Sequence, residues 1–274
     1  MGKTASERMV ENRAQADVSV VLLGAGRVAT HLAPALVRAG YRVVQVWSRT
    51  ETSARSLAAP LGIAFTDSLD AVVTDADIYI ACVADGALPE MAAAIVGRVG
   101  ESALFLHTAG SVPMDVWRQA GASRYGILYP LQTFSMERAV NMREVSLFVE
   151  ASDEETMAGI EGLAHGLSDR VFRADSKRRG RLHIAAVFAC NFANAMYGAA
   201  HRLLAEDGIP FEVLLPLIDE TASKVHVLAP RDAQTGPAVR GDMAVMRSHM
   251  DALVGDEELH SIYALVSNYI NRNR

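Results

Sequence analysis

The chain has 274 residues, half of them hydrophobic and 21% charged, with a net charge of −6 at pH 7. This is an ordinary globular composition, long enough for about two domains. There is no basic stripe interleaved with aromatics, which argues against a nucleic-acid partner, and no apolar run reaches the ~18 residues of a membrane span.

Residues 1–17 are polar and lack the hydrophobic centre of a secretory signal, so they read as a disordered leader on a cytoplasmic protein. The first six also fit the short myristoylation pattern, which arises often by chance. Cys82 and Cys190, the only cysteines, lie in apolar runs and read as buried thiols of a reducing compartment.

From residue 18 a run of β-branched and aliphatic residues stops at Gly24-Ala25-Gly26, and a helical pattern begins at Arg27 and Val28. With Ala29 this is G-x-G-x-x-A between a strand and a helix. Gly24 allows the sharp turn, Gly26 lets a pyrophosphate approach the backbone, and Ala29 lets helix and strand pack closely. The free N–H groups at the helix start, backed by its dipole, form an anion site.

The apolar period of 27–39 predicts the first helix, with Gly40 closing it. A buried strand follows at 41–47. Ser48-Arg49-Thr50 then occupies the place, ~20 residues past the glycines, where NAD enzymes keep an acid for the ribose hydroxyls. An arginine between two hydroxyls suits a 2′-phosphate, so NADP(H) is the expected cofactor. A helix at 51–60, a short strand at 63–66 and a short helix from 68 come next. The strand at 77–83 ends in Val83-Ala84-Asp85, which should pass near the dinucleotide, with Asp85 as N-cap of a helix reaching 96. Further strands are expected at 103–106, 126–129, 145–150 and 170–173, with a helix at 153–167.

The charge run at 175–181 reads as a solvated connection or a helix start. Beyond it come only helices and loops: 182–207, 211–227, 242–253 and 257 to the end. Strands alternating with helices, followed by helices alone, predict an α/β fold. Residues 1–174 would form a doubly wound Rossmann domain and residues 175–274 an all-helical domain serving the cleft and dimerisation.

His107 and Ser111 follow a strand end on the edge where the nicotinamide should lie, and His107 is the expected proton donor, with Thr108 or Ser111 bonding the same atom. Turn chemistry explains such residues equally simply. On the helix from 182, His183, Cys190, Asn191 and Asn194 share a sector of ~100° at α-helical spacing. His183 and Asn191 either orient a substrate in the cleft or bond across a subunit contact. No H-E-x-x-H or C-x-x-C occurs, so no metal site is expected, and no G-x-S-x-G elbow marks a hydrolase.

Nearly the whole chain resembles an uncharacterised bacterial family that joins an NADP-oxidoreductase-like Rossmann domain to a helical domain of unknown function. The segments that carry the likeness are GAGRVAT (24–30), WSRT (47–50), HTAGSVP (107–113), YPLQTFS (129–135), LHIAAVFACNFAN (182–194) and QTGPAVRGD (234–242). The wider group is 6-phosphogluconate-dehydrogenase-like and includes pyrroline-5-carboxylate and ketopantoate reductases. The resemblance implies a cytoplasmic homodimer with an interdomain cleft, but no substrate. The lysine–asparagine pair of many hydroxyacid-dehydrogenase relatives is missing: Lys177 is followed four residues on by Arg181, and Lys224 by Leu228. Gly236-Pro237-Ala238 is similar to a reductase motif but precedes Val239. The expectation is an NADP(H)-dependent oxidoreductase acting on a small carbonyl or imine. The alternative is a non-catalytic dinucleotide- or metabolite-binding sensor.

Overall fold

A computed structural model of the protein describes residues 17–273, so the leader expectation lies outside the described residues apart from Asp17. Contacts divide the chain into two compact units, one running to Cys190 and the other starting at Asn191. The boundary read from the sequence falls at 174/175. The helix that follows it groups with the first unit.

The first unit is built on β1 (Ser19–Leu23), five buried residues in a row. Val20 and Leu22 enter one core and Val21 and Leu23 the other, because alternate side chains of a central strand face opposite layers. β2 (Arg42–Trp47) and β3 (Ala64–Thr66) lie to one side. To the other lie β4 (Ile78–Ala81), β5 (Leu104–His107), β6 (Arg124–Leu131), β7 (Ser146–Ala151) and β8 (Val171–Arg173). The order is β3-β2-β1-β4-β5-β6-β7-β8. Every neighbouring pair is parallel except β6 and β7. The strand order reverses direction between β1 and β4, and that switch point opens a crevice beyond the strands' C-terminal ends.

Helices cover both faces. α1 (Arg27–Arg38) and α2 (Glu51–Ala58) bring Leu32, Leu36 and Leu57 to one core. α3 (Leu88–Val96) and α4 (Asp115–Gln119) bring Met91, Ile95 and Trp117 to the other. α5 (Glu154–Leu167) is capped by Asp153, whose side chain accepts from the Thr156 N–H, and its Ile160 and Leu163 join the first core. α6 (Ser176–Ala186) is capped by Asp175 and runs into a π-helical turn, Val187–Phe192.

Three sequence expectations change here. Asp85 is not a helix cap: it opens a 3₁₀ turn, Asp85–Ala87, and the α3 N-cap is Ala87. Cys190 is exposed, not buried. The π turn also breaks the 3.6 period, so the common sector computed for His183, Cys190, Asn191 and Asn194 does not carry through.

The second unit holds α7 (Ala193–Glu206), α8 (Leu215–Lys224), α9 (Pro237–Arg240), α10 (Met243–Ala252) and α11 (Glu257–Arg272). Among its described residues Ala238 and Leu259 are the buried apolar side chains, while Leu217, Val227, Leu265 and Tyr269 are each more than 60% exposed.

Gly126 on β6 has no left-handed φ, so it is glycine for space. A Cβ there would strike the Glu150 carbonyl and sit 2.5 Å from Ile160 Cδ1. Gly126→Ala is expected to lower the unfolding free energy by about 1–3 kcal/mol through overpacking, read from urea unfolding. An unchanged midpoint would show that the β6–β7–α5 contact has slack.

Candidate functional site: a nucleotide crevice and a polar edge

The turn after β1 sets the site. Gly24 has φ +116, and a Cβ on it would lie 2.6 Å from the Cys82 carbonyl oxygen, so both its conformation and its surroundings demand glycine. Its N–H donates to the Trp47 carbonyl at 2.7 Å, and the Cys82 N–H donates to Leu23 at 2.7 Å. The backbone ends of β1, β2 and β4 are thereby drawn together. Gly26 is the N-cap of α1, with no side-chain cap, which leaves the first-turn N–H groups facing outward for an anion.

A pocket of about 430 Å³ opens there within the first unit. Of the residues singled out in the sequence, Gly24, Ala25, Gly26, Ser48, Arg49, Val83 and Ala84 line it, while Arg27, Val28, Thr50 and Asp85 are not among its lining residues. Thr50 instead caps α2, accepting from the Ser53 N–H. Leu69, Met91 and Ala94 add an apolar wall, and Glu90 a carboxylate. These escape sequence reading because they come from the helix faces and not from the strand ends. Burial pushes the Cys82 thiol, also in the lining, up to about 12, so it stays protonated and is a poor nucleophile.

A polar edge continues along the ends of β4, β5 and β6. Ser111 donates to Asp85, joining two strand ends. The Tyr129 hydroxyl lies 3.1 Å from His183 Nδ1, and the two rings meet edge to face. Tyr129 is 7% exposed. Its burial raises its pKa, with Asp85 adding to the rise and Arg179 opposing it.

His107 is placed differently from the proton donor expected of it. Its side chain is fully buried, 6.3 Å from Trp117 between ring centres, and its Nδ1 accepts from the Ala109 N–H at 3.2 Å. Burial, and then the Arg179 guanidinium, push it down to about 3. Asn191 sits exposed in the π turn.

Arg179 is the residue that the sequence concealed. It lies in the 175–181 charge run, yet it is 1% exposed. It pairs with Glu150 and donates to the Val112 carbonyl at 2.6 Å. Ser176 adds bonds to the same carboxylate, from its N–H at 2.9 Å and its hydroxyl at 2.9 Å. This buried cluster ties α6 to β7 and to the loop after β5. A helix N-terminus in which one arginine of four charged neighbours points inward looks, in sequence, like any solvated charge run.

Among the described residues no group of three or more His, Cys, Asp or Glu is placed to hold a metal, and no helix is long and apolar enough to cross a membrane. The second unit holds its own cavity of about 420 Å³ between α7, α9, α10 and α11, mostly apolar, with His249 and Tyr263 in its lining.

Comparison with known proteins bears on the same segments. A family model described as "NADP oxidoreductase coenzyme F420-dependent" matches residues 19–104, and a domain of unknown function, DUF2520, matches residues 145–270. A crystal structure from Bacteroides fragilis, provisionally described as an NADP oxidoreductase, is 48% identical over 94% of this chain and 99% of its own, with a TM-score of 0.89. The chain belongs to this NADP-oxidoreductase family. A reductive aminase from Aspergillus terreus, in complex with NADPH and ethyl-5-oxohexanoate, shares the fold. It has 17% identity, a TM-score of 0.69 and coverage of 94% of this chain and 95% of its own. An imine reductase from Myxococcus stipitatus in complex with NADP+ shares it too, at 16% identity and a TM-score of 0.61, covering 93% and 92%. None of the curated proteins matches significantly.

The His107 environment gives a pH dependence. The folded imidazole binds its proton only near pH 3, whereas the unfolded one does so near 6.5. Stability from this residue is therefore complete above about pH 6.5 and falls as pH drops toward 3, by about 1.4 kcal/mol per pH unit for one proton. Urea unfolding across that range should show His107→Leu with a slope shallower by one proton. Equal slopes in the two proteins would mean that His107 is protonated in the fold.

Proposed function

We propose that the protein is an NADP(H)-dependent oxidoreductase that transfers hydride to or from a small carbonyl or imine compound. The observation that carries this reading is the pocket at the β1–β4 switch point. Glycine backbone lines its phosphate end, and Arg49, where an acid would select NAD, lines its edge. The turn of Gly24, Ala25 and Gly26 would hold the pyrophosphate, with Arg27 and Val28 beginning the helix behind it. Ser48 and Arg49 would face the 2′-phosphate, with Thr50 capping the helix behind them, and Val83 and Ala84 the path toward the nicotinamide, with Asp85 bonded to Ser111 beyond it. The Aspergillus and Myxococcus proteins, crystallised with NADPH and NADP+, supply the class of reaction.

Ser111, whose hydroxyl proton goes to Asp85, keeps its lone pairs to accept a hydrogen bond from the O–H or N–H of the alcohol or amine. His107 takes a supporting part in this proposal, as a neutral ring packed beneath the loop that carries Ser111. Two unpaired cysteines suit a reducing cytoplasm.

We also propose a homodimer through the helical unit. Two buried apolar side chains make no adequate core for five helices, and the large exposed apolar residues Leu217, Leu265 and Tyr269 call for a covering surface. A second copy of the chain supplies one.

Two measurements follow. In fluorescence titrations NADPH should bind more tightly than NADH, and Arg49→Ala should weaken NADPH about 10–100-fold, the worth of a charge-assisted contact, while leaving NADH nearly unchanged. Equal affinities in the native protein would contradict the phosphate role. Sedimentation should give twice the chain mass, with Leu265→Glu shifting it toward the monomer. A monomeric native protein would refute the dimer.

A further inference from the structure

Three segments far apart in the sequence meet at one point on the polar edge: Gly110 after β5, Tyr129 near the end of β6 and His183 on α6. Gly110 has no positive φ, so its backbone does not require glycine. Its surroundings do. A Cβ there would lie 2.6 Å from His183 Nδ1 and 2.9 Å from Tyr129 Cζ. The space that a side chain would fill is the space in which the phenol and the imidazole touch, 3.1 Å apart.

We infer that His183 is the acid–base group at the nicotinamide end of the pocket, with Tyr129 as the residue that fixes its tautomer and direction. The inference rests on the nucleotide reading above and names the proton carrier that it needs. A chain of contacts links the couple to the pocket. Ala84 lines it, Asp85 follows and accepts from Ser111, and Ser111 adjoins Gly110. The Tyr129 ring is buried whereas His183 is partly open, so the imidazole is the member that solvent and substrate reach. Arg179 lies one helical turn before His183, on the same face of α6. Its bonds to Glu150 and Val112 anchor that turn, so the imidazole is carried on a fixed support.

The phenol, kept protonated by burial, donates to Nδ1 of the neutral ring and so places the ring proton on Nε2. In the imidazolium the bond reverses, and Nδ1–H donates to the phenol oxygen. Bound NADPH would supply hydride to the carbonyl or imine carbon, and the oxygen or nitrogen receiving the π electrons would need a proton. That atom takes the Nε2 proton of the imidazolium. The ring would be left neutral beside the alcohol or amine and NADP+, and water would return its proton. Oxidation runs the same steps backward.

The test is nuclear magnetic resonance of protein carrying ¹⁵N-histidine, titrated with NADP+ and, separately, with 2′,5′-ADP, which fills the adenine end and lacks nicotinamide. His183, assigned through His183→Gln, is expected to show the Nε2–H tautomer when neutral and to shift with NADP+ but not with 2′,5′-ADP. Tyr129→Phe should mix its tautomers while NADP+ still binds. If NADP+ binds and the His183 signals stay put, or if Tyr129→Phe leaves the tautomer unchanged, the inference is overturned while the nucleotide reading stands. If neither nucleotide binds, both fall.

Discussion

The close approach of Gly24 to the Cys82 carbonyl is the constraint on which the rest of the structure depends. Parallel strands stop at different heights, and a crevice forms only where the chain can leave one strand without filling the space above its neighbour. At the end of β1 the backbone turns with φ +116 against the carbonyl at the end of β4, and its N–H is bound to the end of β2. Any side chain at position 24 would have to displace main chain on β4, which cannot yield as a flexible side chain would. Holding three strand ends together by backbone alone leaves bare amide groups and an open pocket at the start of α1, the arrangement that suits a pyrophosphate.

A second constraint works through charge. Arg179 and Glu150 are taken out of water together, and such a pair contributes to stability only while both members remain. Its geometric effect is larger than its net energy. One guanidinium reaches a carboxylate on β7 and a carbonyl in the loop after β5, so α6 cannot slide without stranding a charge. The tyrosine–histidine contact lies directly downstream of that anchor. The same guanidinium helps to hold His107 unprotonated, which separates the two histidines by role: one is a packed neutral ring, and the other is open and paired to a phenol.

The sequence shows most of the fold because the first unit follows local rules. Buried strands read as unbroken aliphatic runs, and the glycine turn has a spacing that few other arrangements need. The strand ends that line the pocket were placed by the same logic. Arg179 and Tyr129 were not, since a charge run and a strand tyrosine look alike whether they face solvent or a partner sixty residues away. Strand-end position does not reveal which way a side chain points, and the burial of the His107 ring was not legible. The π turn was invisible too: VFACNF has the composition of any apolar helix, and only the hydrogen-bond pattern shows the extra residue per turn. The long helices of the second unit were legible, but the short helix Pro237–Arg240 read as loop and the packing was not legible, because the unit's apolar residues are not sorted inward within one chain.

The central claim is that the β1–α1 turn cradles an NADP(H) pyrophosphate with Arg49 beside the 2′-phosphate. A crystal structure grown with saturating NADPH tests it most directly. Density for the dinucleotide is expected over Gly24–Gly26, with the 2′-phosphate against the Arg49 guanidinium. An empty pocket, or a nucleotide bound elsewhere, would contradict it.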